Sequence, residues 1–169
     1  PRFGNKFYCE LFNFYVSAHL VNCMPKTVLV RKGELKPCPS AFLDAPTPGS
    51  EQKENFTIIG SGVADSPDQH VHIKATPGFN IGAAGQPPKC VNSLHYHNSA
   101  EVFFILRGKW RFFWGLNGDA GEVILQEGYL ISMPTRIFRG IENGGTELGI
   151  TLSLLHLRRC RPTTLCSRM

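Results

Sequence analysis

The chain has 169 residues, which is enough for one domain with a substantial core and too short for two. Its 17 glycines and 12 prolines favour a turn-rich β protein with few helices. The formal net charge is +5, but the span 24–157 holds 12 of the 18 Lys and Arg residues and 12 of the 13 Asp and Glu residues. Because the excess lies at the two ends, it predicts solvated tails and no nucleic-acid partner.

The two ends differ in pattern from the middle of the chain. Residues 1–23 show neither strand alternation nor helical periodicity, and residues 158–169 are polar and basic without any pattern. We therefore expect an N-terminal appendage over 1–23, a single domain over 24–157 and a basic tail over 158–169. The ends are interpreted either as non-native or disordered additions or as a real N-terminal strand and tail.

Cysteine spacing and hydropathy exclude several further classes. The six cysteines show no CxxC pair and no repeated spacing, which argues against a disulfide framework and against a zinc module. No apolar run approaches the ~18 residues of a membrane span, so no membrane partner is expected. The apolar stretch 7–23 is interrupted by Glu10, Asn13 and His19 and lacks a clean cleavage site, so we expect a cytoplasmic protein.

Short apolar runs alternate with turn residues across 24–157, at the spacing of an antiparallel barrel or sandwich. The segment 37–55 is a proline-rich connection, and the Asn-Gly step within 116–121 predicts a hairpin turn. The predicted strands lie, in chain order, at 26–33, 56–63 and 70–78, as two strands within 93–115 that are broken near Arg107 and Gly108, and then at 121–128, 129–135 and 146–157.

The segment from His95 to Gly108, HYHNSAEVFFILRG, carries the main candidate site. Side chains alternate across a strand, so His95, His97 and Glu101 point to one side if the strand is continuous. Two imidazoles and a carboxylate on one face form the ligand set of non-haem Fe(II) oxygenases and of zinc hydrolases. The pattern therefore predicts a divalent metal ion, Fe, Mn, Ni or Zn, bound by these three residues.

A wider pattern resembles the cupin family. The two histidines, Glu101 and Gly108 match the spacing of its first motif, and Gly128, Pro134 and Asn143 match its second, about 19 residues later. The resemblance covers roughly residues 90–145. It implies an all-β fold, a double-stranded β-helix or jelly-roll barrel of antiparallel strands, with the site inside the barrel and a homodimer outside it.

The sequence departs from the cupin pattern at three positions. Lys89 and Arg136 stand where the two motifs have glycine, and Arg139 stands where the second motif has a fourth ligand, a histidine. A guanidinium cannot ligate a metal because it stays protonated and has no available lone pair. The resemblance therefore carries over three ligands and not the fourth.

Arg139 leaves two interpretations of the site open. In the first, a metal with three protein ligands keeps open coordination positions, and Arg139 binds the carboxylate of a small anionic organic ligand as a clamp. The most specific version of this interpretation is Fe(II)-dependent dioxygenation of an aromatic or enolisable acid. In the second, Arg139 pairs directly with Glu101 in a metal-free barrel, which serves as a non-catalytic sensor or binding module. Metal-dependent isomerase or hydrolase chemistry is a further alternative, and the substrate is not predicted.

Other candidates receive weaker interpretations. His70 and His72 form a second same-face pair, which either supplies a further ligand or only packs. Aromatic residues at alternate positions either form a ligand cage or face a core or a dimer partner. Phe103 and Ile105 share the parity of the candidate ligands and are expected to form the floor of the same pocket. Tyr96 and Phe104 are expected on the opposite face of the sheet. The alternating aromatic residues are Trp110, Phe112 and Trp114.

Overall fold

The computed structural model describes residues 29–38, 40–41, 46–61, 66–74 and 78–156. The segments 1–23 and 158–169, which the sequence marks as appendage and tail, lie outside the described residues. Within the described ranges the structure contains one short 3-10 helix, Lys32–Glu34, and otherwise strands. The strands are β1 Glu54–Ile59, β2 Val71–Ile73, β3 Phe79–Gln86, β4 Val91–His95, β5 Glu101–Arg107, β6 Lys109–Trp114, β7 Gly121–Gln126, β8 Leu130–Met133, β9 Arg139–Asn143 and β10 Gly149–His156.

Two sheets face each other and form a jelly-roll barrel. One sheet has six strands in the order β2-β1-β3-β10-β5-β8, and the other has four in the order β4-β9-β6-β7. All neighbouring strands pair antiparallel except β1 and β2, which are parallel. The all-β, antiparallel jelly-roll fold expected from the sequence is confirmed. No helix in the described part of the chain is long and apolar enough to cross a membrane.

The hydrophobic core fills the space between the sheets. Phe103 and Ile105 from β5 pack against Trp110 and Phe112 from β6, and all four side chains are buried. Burying four such side chains contributes roughly 1.5–3 kcal/mol each. The Trp110 ring lies over Gly149, where an added Cβ would come within 2.9 Å of a ring carbon. Only glycine fits at that position because the indole occupies the place of a side chain.

Several predicted strands differ from those observed. The strand expected over 26–33 is wrong in its described part, because residues 29–31 are irregular and Lys32–Glu34 form the 3-10 helix. β3 was not predicted, because its sequence FNIGAAGQ contains two glycines and two alanines instead of β-branched residues. β9 was also missed, since its five residues are short and end in Glu-Asn.

The strand thought to carry all three candidate ligands is interrupted. β4 ends at His95 in the four-stranded sheet, and β5 begins at Glu101 in the six-stranded sheet. Residues 96–100 cross from one sheet to the other. The parity argument for a single continuous strand is therefore wrong, and the site must be understood from this crossover.

Candidate metal centre

His95, His97 and Glu101 converge although they belong to three different elements. His95 is the last residue of β4, His97 lies in the crossover, and Glu101 is the first residue of β5. One potential ligand atom from each residue lies within 4.8 Å of the other two. Among the described residues this is the one such group of histidine, cysteine and carboxylate side chains. The crossover between the sheets therefore brings together the three side chains that the sequence selected.

The imidazole of His95 has a defined tautomer. Its Nδ1 lies 2.7 Å from the backbone oxygen of Ser93. A carbonyl oxygen can only accept, so Nδ1 carries a hydrogen, and in the neutral ring the lone pair is then on Nε2. A backbone carbonyl that orients a histidine in this way is a common outer partner in metal sites. The local backbone of β4 thus presents His95 in the form that a metal ligand requires.

His97 is held in its neutral form. Its Nε2 lies 3.6 Å from Oε2 of Glu101, and its side chain is 19% exposed. Burial, together with the positive charge of Arg139 and the neighbouring His95, lowers the pKa of His97 to about 3. The ring therefore keeps its lone pair at neutral pH, and this lone pair is what a metal would bind.

Glu101 forms a buried ion pair with Arg139. The guanidinium donates from Nη2 to Oε2 of Glu101, and the two side chains are 1% and 7% exposed. Burial raises the pKa of the Glu101 carboxyl, while the Arg139 guanidinium and the Ser153 hydroxyl, which both hydrogen-bond to it, act in the opposite direction. Arg139 stands where the cupin motif has its fourth ligand, and its guanidinium contacts Glu101, the third candidate ligand.

The register of β9 places Arg139 in the barrel. Arg139 is the first residue of β9 and lies opposite His95 on β4. Its Nη1 donates to the backbone oxygen of His95 at 3.5 Å, and the backbone N–H of Arg136 donates to the oxygen of His97 at 2.8 Å. The segment after Pro134 is thereby tied to the crossover. Nε of Arg139 has no hydrogen-bond partner in the described structure.

No protein-family model and no curated protein matches the sequence. Among solved structures, the polyketide cyclase RemF from Streptomyces resistomycificus is similar at a TM-score of 0.58 and 14% identity, over 79% of this chain and 81% of that one. Oxalate decarboxylase from Lactobacillus farciminis is similar at 0.55 and 18%, over 74% of this chain and 32% of that one.

The cupin domain of Schizosaccharomyces pombe Cnp3 is similar at a TM-score of 0.49 and 16% identity, over 63% of this chain and 66% of that one. The barrel topology agrees with the two spaced motifs that the sequence shares with cupins. The chain has the cupin fold. At identities this low the structural likeness establishes the fold alone.

Two of the three departures from the cupin motifs keep the backbone conformation that glycine favours. Lys89 has a φ of 66° and Arg136 a φ of 62°, and these are the residues other than glycine with positive φ in the described part of the chain. The left-handed region costs an L-residue roughly 1–2 kcal/mol. Both positions therefore hold the left-handed backbone conformation that glycine adopts easily, although neither residue is glycine.

The second histidine pair does not join the cluster of His95, His97 and Glu101. In His72, Nε2 accepts from the backbone N–H of Lys36 at 2.9 Å, and Nδ1 donates to the oxygen of Thr57 at 2.7 Å. Both ring nitrogens are thus used to connect the segment after the 3-10 helix to β1. His70 is exposed and packs edge-on against His72, with 4.6 Å between ring centroids. The pair is structural within the described residues.

The alternating aromatic residues of β6 belong mainly to the core. Trp110 and Phe112 are fully buried in it, and Trp114 is half-buried at the end of the strand. A ligand cage made of all three is therefore wrong. Tyr96 and Phe104 lie on the outer side as expected, but they are 42% and 37% exposed.

Two groups near the cluster were not predicted from the sequence. Ser153, on β10, hydrogen-bonds to Glu101. Asn80, on β3, is buried in the barrel on the same row of the sheet as Glu101. Ser153 has the parity of the inward residues of β10 and could have been found from the alternation. Asn80 could not, since its strand was not predicted.

Proposed function

We propose that His95, His97 and Glu101 bind one divalent metal ion, and that the loaded site binds a small anionic organic ligand inside the cupin barrel. The observation that carries the proposal is the convergence of the three donors within 4.8 Å. Two neutral imidazoles and one carboxylate suit Fe, Mn, Ni and Zn, which accept mixed nitrogen and oxygen ligands.

The ion pair with Arg139 is compatible with this donor set. An ionised carboxylate has about four lone-pair positions, so Glu101 can accept from Arg139 and still contribute an oxygen to a metal. Ligating carboxylates are commonly hydrogen-bonded by an outer partner, which fixes their orientation. Arg139 takes that place here, at the cost of a positive charge close to the metal. We therefore expect weaker metal binding than a fourth histidine would give.

Charge supports an anionic ligand. The His97 ring is neutral, and the Glu101 carboxylate balances the Arg139 guanidinium, so these three groups together carry no formal net charge. A divalent ion would add two positive charges in a buried site, and unpaired buried charge is strongly unfavourable. An anionic ligand compensates for it. The unpartnered Nε of Arg139 is a donor that such an anion can use, which supports the predicted clamp role of this residue.

The reaction class follows from the open positions. An Fe(II) ion held by His95, His97 and Glu101 would keep open positions and supply redox chemistry, so Fe(II)-dependent dioxygenation of an aromatic or enolisable acid is the most specific form of the proposal. To test this reaction class, the protein is loaded with Fe(II) in the absence of air. Oxygen is then admitted and its uptake is measured with each of a panel of such acids. Binding without uptake assigns a sensing role.

A metal-free binding barrel is the second candidate, and the ion pair itself favours it. Arg139 satisfies Glu101 without any metal, and Ser153 adds a further hydrogen bond. In that case the histidines only line the barrel. The two candidates differ in one measurable quantity, the metal content of the purified protein.

Elemental analysis of wild type and three variants tests the proposal. We expect close to one metal ion per chain in the wild type, loss of that metal in His97→Ala, and tighter binding in Arg139→His, which restores the fourth cupin ligand. His70→Ala is the matched control and should keep its metal, because His70 is exposed and outside the cluster. No metal after reconstitution with Fe(II) in the absence of air would favour the metal-free barrel.

The homodimer and the cytoplasmic location expected from the sequence remain proposals. Sedimentation of the purified protein measures the first.

A further inference from the structure

Asn80 carries a buried side-chain amide on β3. Its side chain belongs to a residue that is 4% exposed, and neither Oδ1 nor Nδ2 has a hydrogen-bond partner within the described structure. A buried polar group left unpaired costs roughly 1–3 kcal/mol, and native proteins contain few of them. Such a group is a good candidate for contact with a ligand.

The sheet register places Asn80 on the row of Glu101. Asn80 on β3 is opposite Leu155 on β10, and Leu155 is opposite Glu101 on β5. All three are buried, so this row faces the barrel interior. Strands are spaced about 4.8 Å apart, so the backbones of Asn80 and Glu101 are about 10 Å apart. The Asn80 amide and the Glu101 carboxylate of the candidate metal site therefore lie on the same inner wall of the barrel.

The row beside this one has small residues on β3 and β10 and the buried Phe103 on β5. The next inward row holds Gly82 on β3 and Ser153 on β10, which are opposite each other. An added Cβ at Gly82 would lie 3.6 Å from Oγ of Ser153 and 3.3 Å from a backbone oxygen of Phe56. Ser153 in turn hydrogen-bonds to Glu101. The Ser153 hydroxyl, the Asn80 amide and the Glu101 carboxylate therefore lie on the same inner wall of the barrel.

We propose that Asn80 determines ligand specificity in this barrel by hydrogen-bonding a hydroxyl group on a short carboxylic acid whose carboxylate is held at the metal cluster. This inference rests on the proposed metal-dependent function. An amide offers one acceptor and two donors, which match the donor and the lone pairs of a hydroxyl. An extended hydroxy acid with three or four carbons between the groups spans roughly 11–12 Å, counting a metal contact of ~2 Å and a hydrogen bond of ~2.8 Å, which is close to the separation along this wall.

Gln86 provides a matched control on the same strand. It is fully buried, and both of its side-chain amide atoms are also unpartnered in the described structure. It lies on the row of Gly149, six residues from Asn80 along β3, which is about 20 Å at 3.3 Å per residue. Gln86 thus has the same chemistry and burial as Asn80 but is remote from the cluster.

The test measures the binding of paired probes to Mn(II)-loaded protein by calorimetry. The probes are γ-hydroxybutyrate and δ-hydroxyvalerate, each compared with butyrate or valerate, which lack only the hydroxyl. In wild type we expect each hydroxy acid to bind about 10-fold more tightly than its partner, as for one net hydrogen bond. Asn80→Leu should abolish this preference, keep its Mn(II) and unfold at a higher temperature. Gln86→Met should keep the preference.

Each other outcome has a defined meaning. Failure of the wild type to bind Mn(II) overturns the proposed function and this inference with it. Mn(II) binding with equal affinities for the hydroxy acids and their partners, or no binding of any probe, overturns the inference alone. It is equally overturned if Asn80→Leu keeps the preference, or if Gln86→Met loses it to the same extent.

Discussion

Removal of the Arg139 guanidinium tests how strongly the barrel depends on its buried ion pair. The side chains of Arg139 and Glu101 are 1% and 7% exposed, so water cannot replace the lost partner. In metal-free protein we expect Arg139→Gln to lower the free energy of unfolding by about 3–5 kcal/mol, because it leaves a buried carboxylate without its counter-charge. The double variant Glu101→Gln with Arg139→Gln should lose much less, since neither charge then remains.

Urea unfolding after treatment with a chelator measures these changes. At a slope of roughly 2 kcal/mol per molar urea, the single variant should shift the midpoint by about 2 M. Mn(II) should restore much of the lost stability, because the metal then neutralises Glu101. Arg111→Gln is the control, since Arg111 forms ion pairs with Glu122 and Glu142 at the surface, with its side chain 37% exposed. Its loss should be about 1 kcal/mol or less.

Two results would refute this reasoning. One is a loss in Arg139→Gln no larger than in Arg111→Gln, which would mean that the pair is not buried in solution. The other is an equal loss in the single and the double variant, which would mean that the cost arises from packing and not from the stranded charge.

Three further predictions concern protonation, backbone strain and the limits of the domain. Because folded His97 stays neutral down to a pKa of about 3 while the unfolded ring takes up a proton near 6.5, metal-free stability should fall by about 1.4 kcal/mol per pH unit as the pH drops below 6.5. Urea unfolding between pH 6.5 and about 5 should show this slope in wild type and not in His97→Gln; equal slopes would disprove it. Lys89→Gly should stabilise the fold by about 0.5–1 kcal/mol, since it relieves a φ of 66°. The control Lys109→Gly, within β6, should destabilise the fold. A loss of stability in both variants, measured by thermal unfolding, would contradict the strain at Lys89. A shortened chain spanning 24–157 should unfold cooperatively; its aggregation beside a well-behaved full chain would show that an end supplies part of the fold.

Local sequence patterns predicted those parts of the structure that local patterns control. β5, β6, β7 and β10 were found because their apolar residues alternate or run continuously between turn residues. β3 escaped prediction because its glycines and alanines are acceptable in a strand only where long neighbouring strands pair with them, as β1 and β10 do here. Strand pairing of that kind is set by tertiary contacts, which one sequence does not reveal.

The candidate site was predicted for a reason that proved incomplete. Motif spacing selected His95, His97 and Glu101, and the structure brings their potential ligand atoms within 4.8 Å of one another. A crossover between two sheets aligns them, and not the single strand that the sequence predicts. The departure at Arg139 is visible in the sequence, which leaves open both a substrate clamp and a pair with Glu101. That the guanidinium contacts Glu101 depends on the register of β9, a strand that was not predicted.

A crystal structure of Mn(II)-soaked protein with anomalous diffraction tests the metal centre most directly. The account predicts one strong anomalous peak per chain, about 2.0–2.3 Å from one nitrogen of His95, one nitrogen of His97 and one oxygen of Glu101, with Arg139 still on the carboxylate. Absence of a peak in the barrel at saturating Mn(II), with the Glu101 and Arg139 side chains paired as in the metal-free protein, would contradict it.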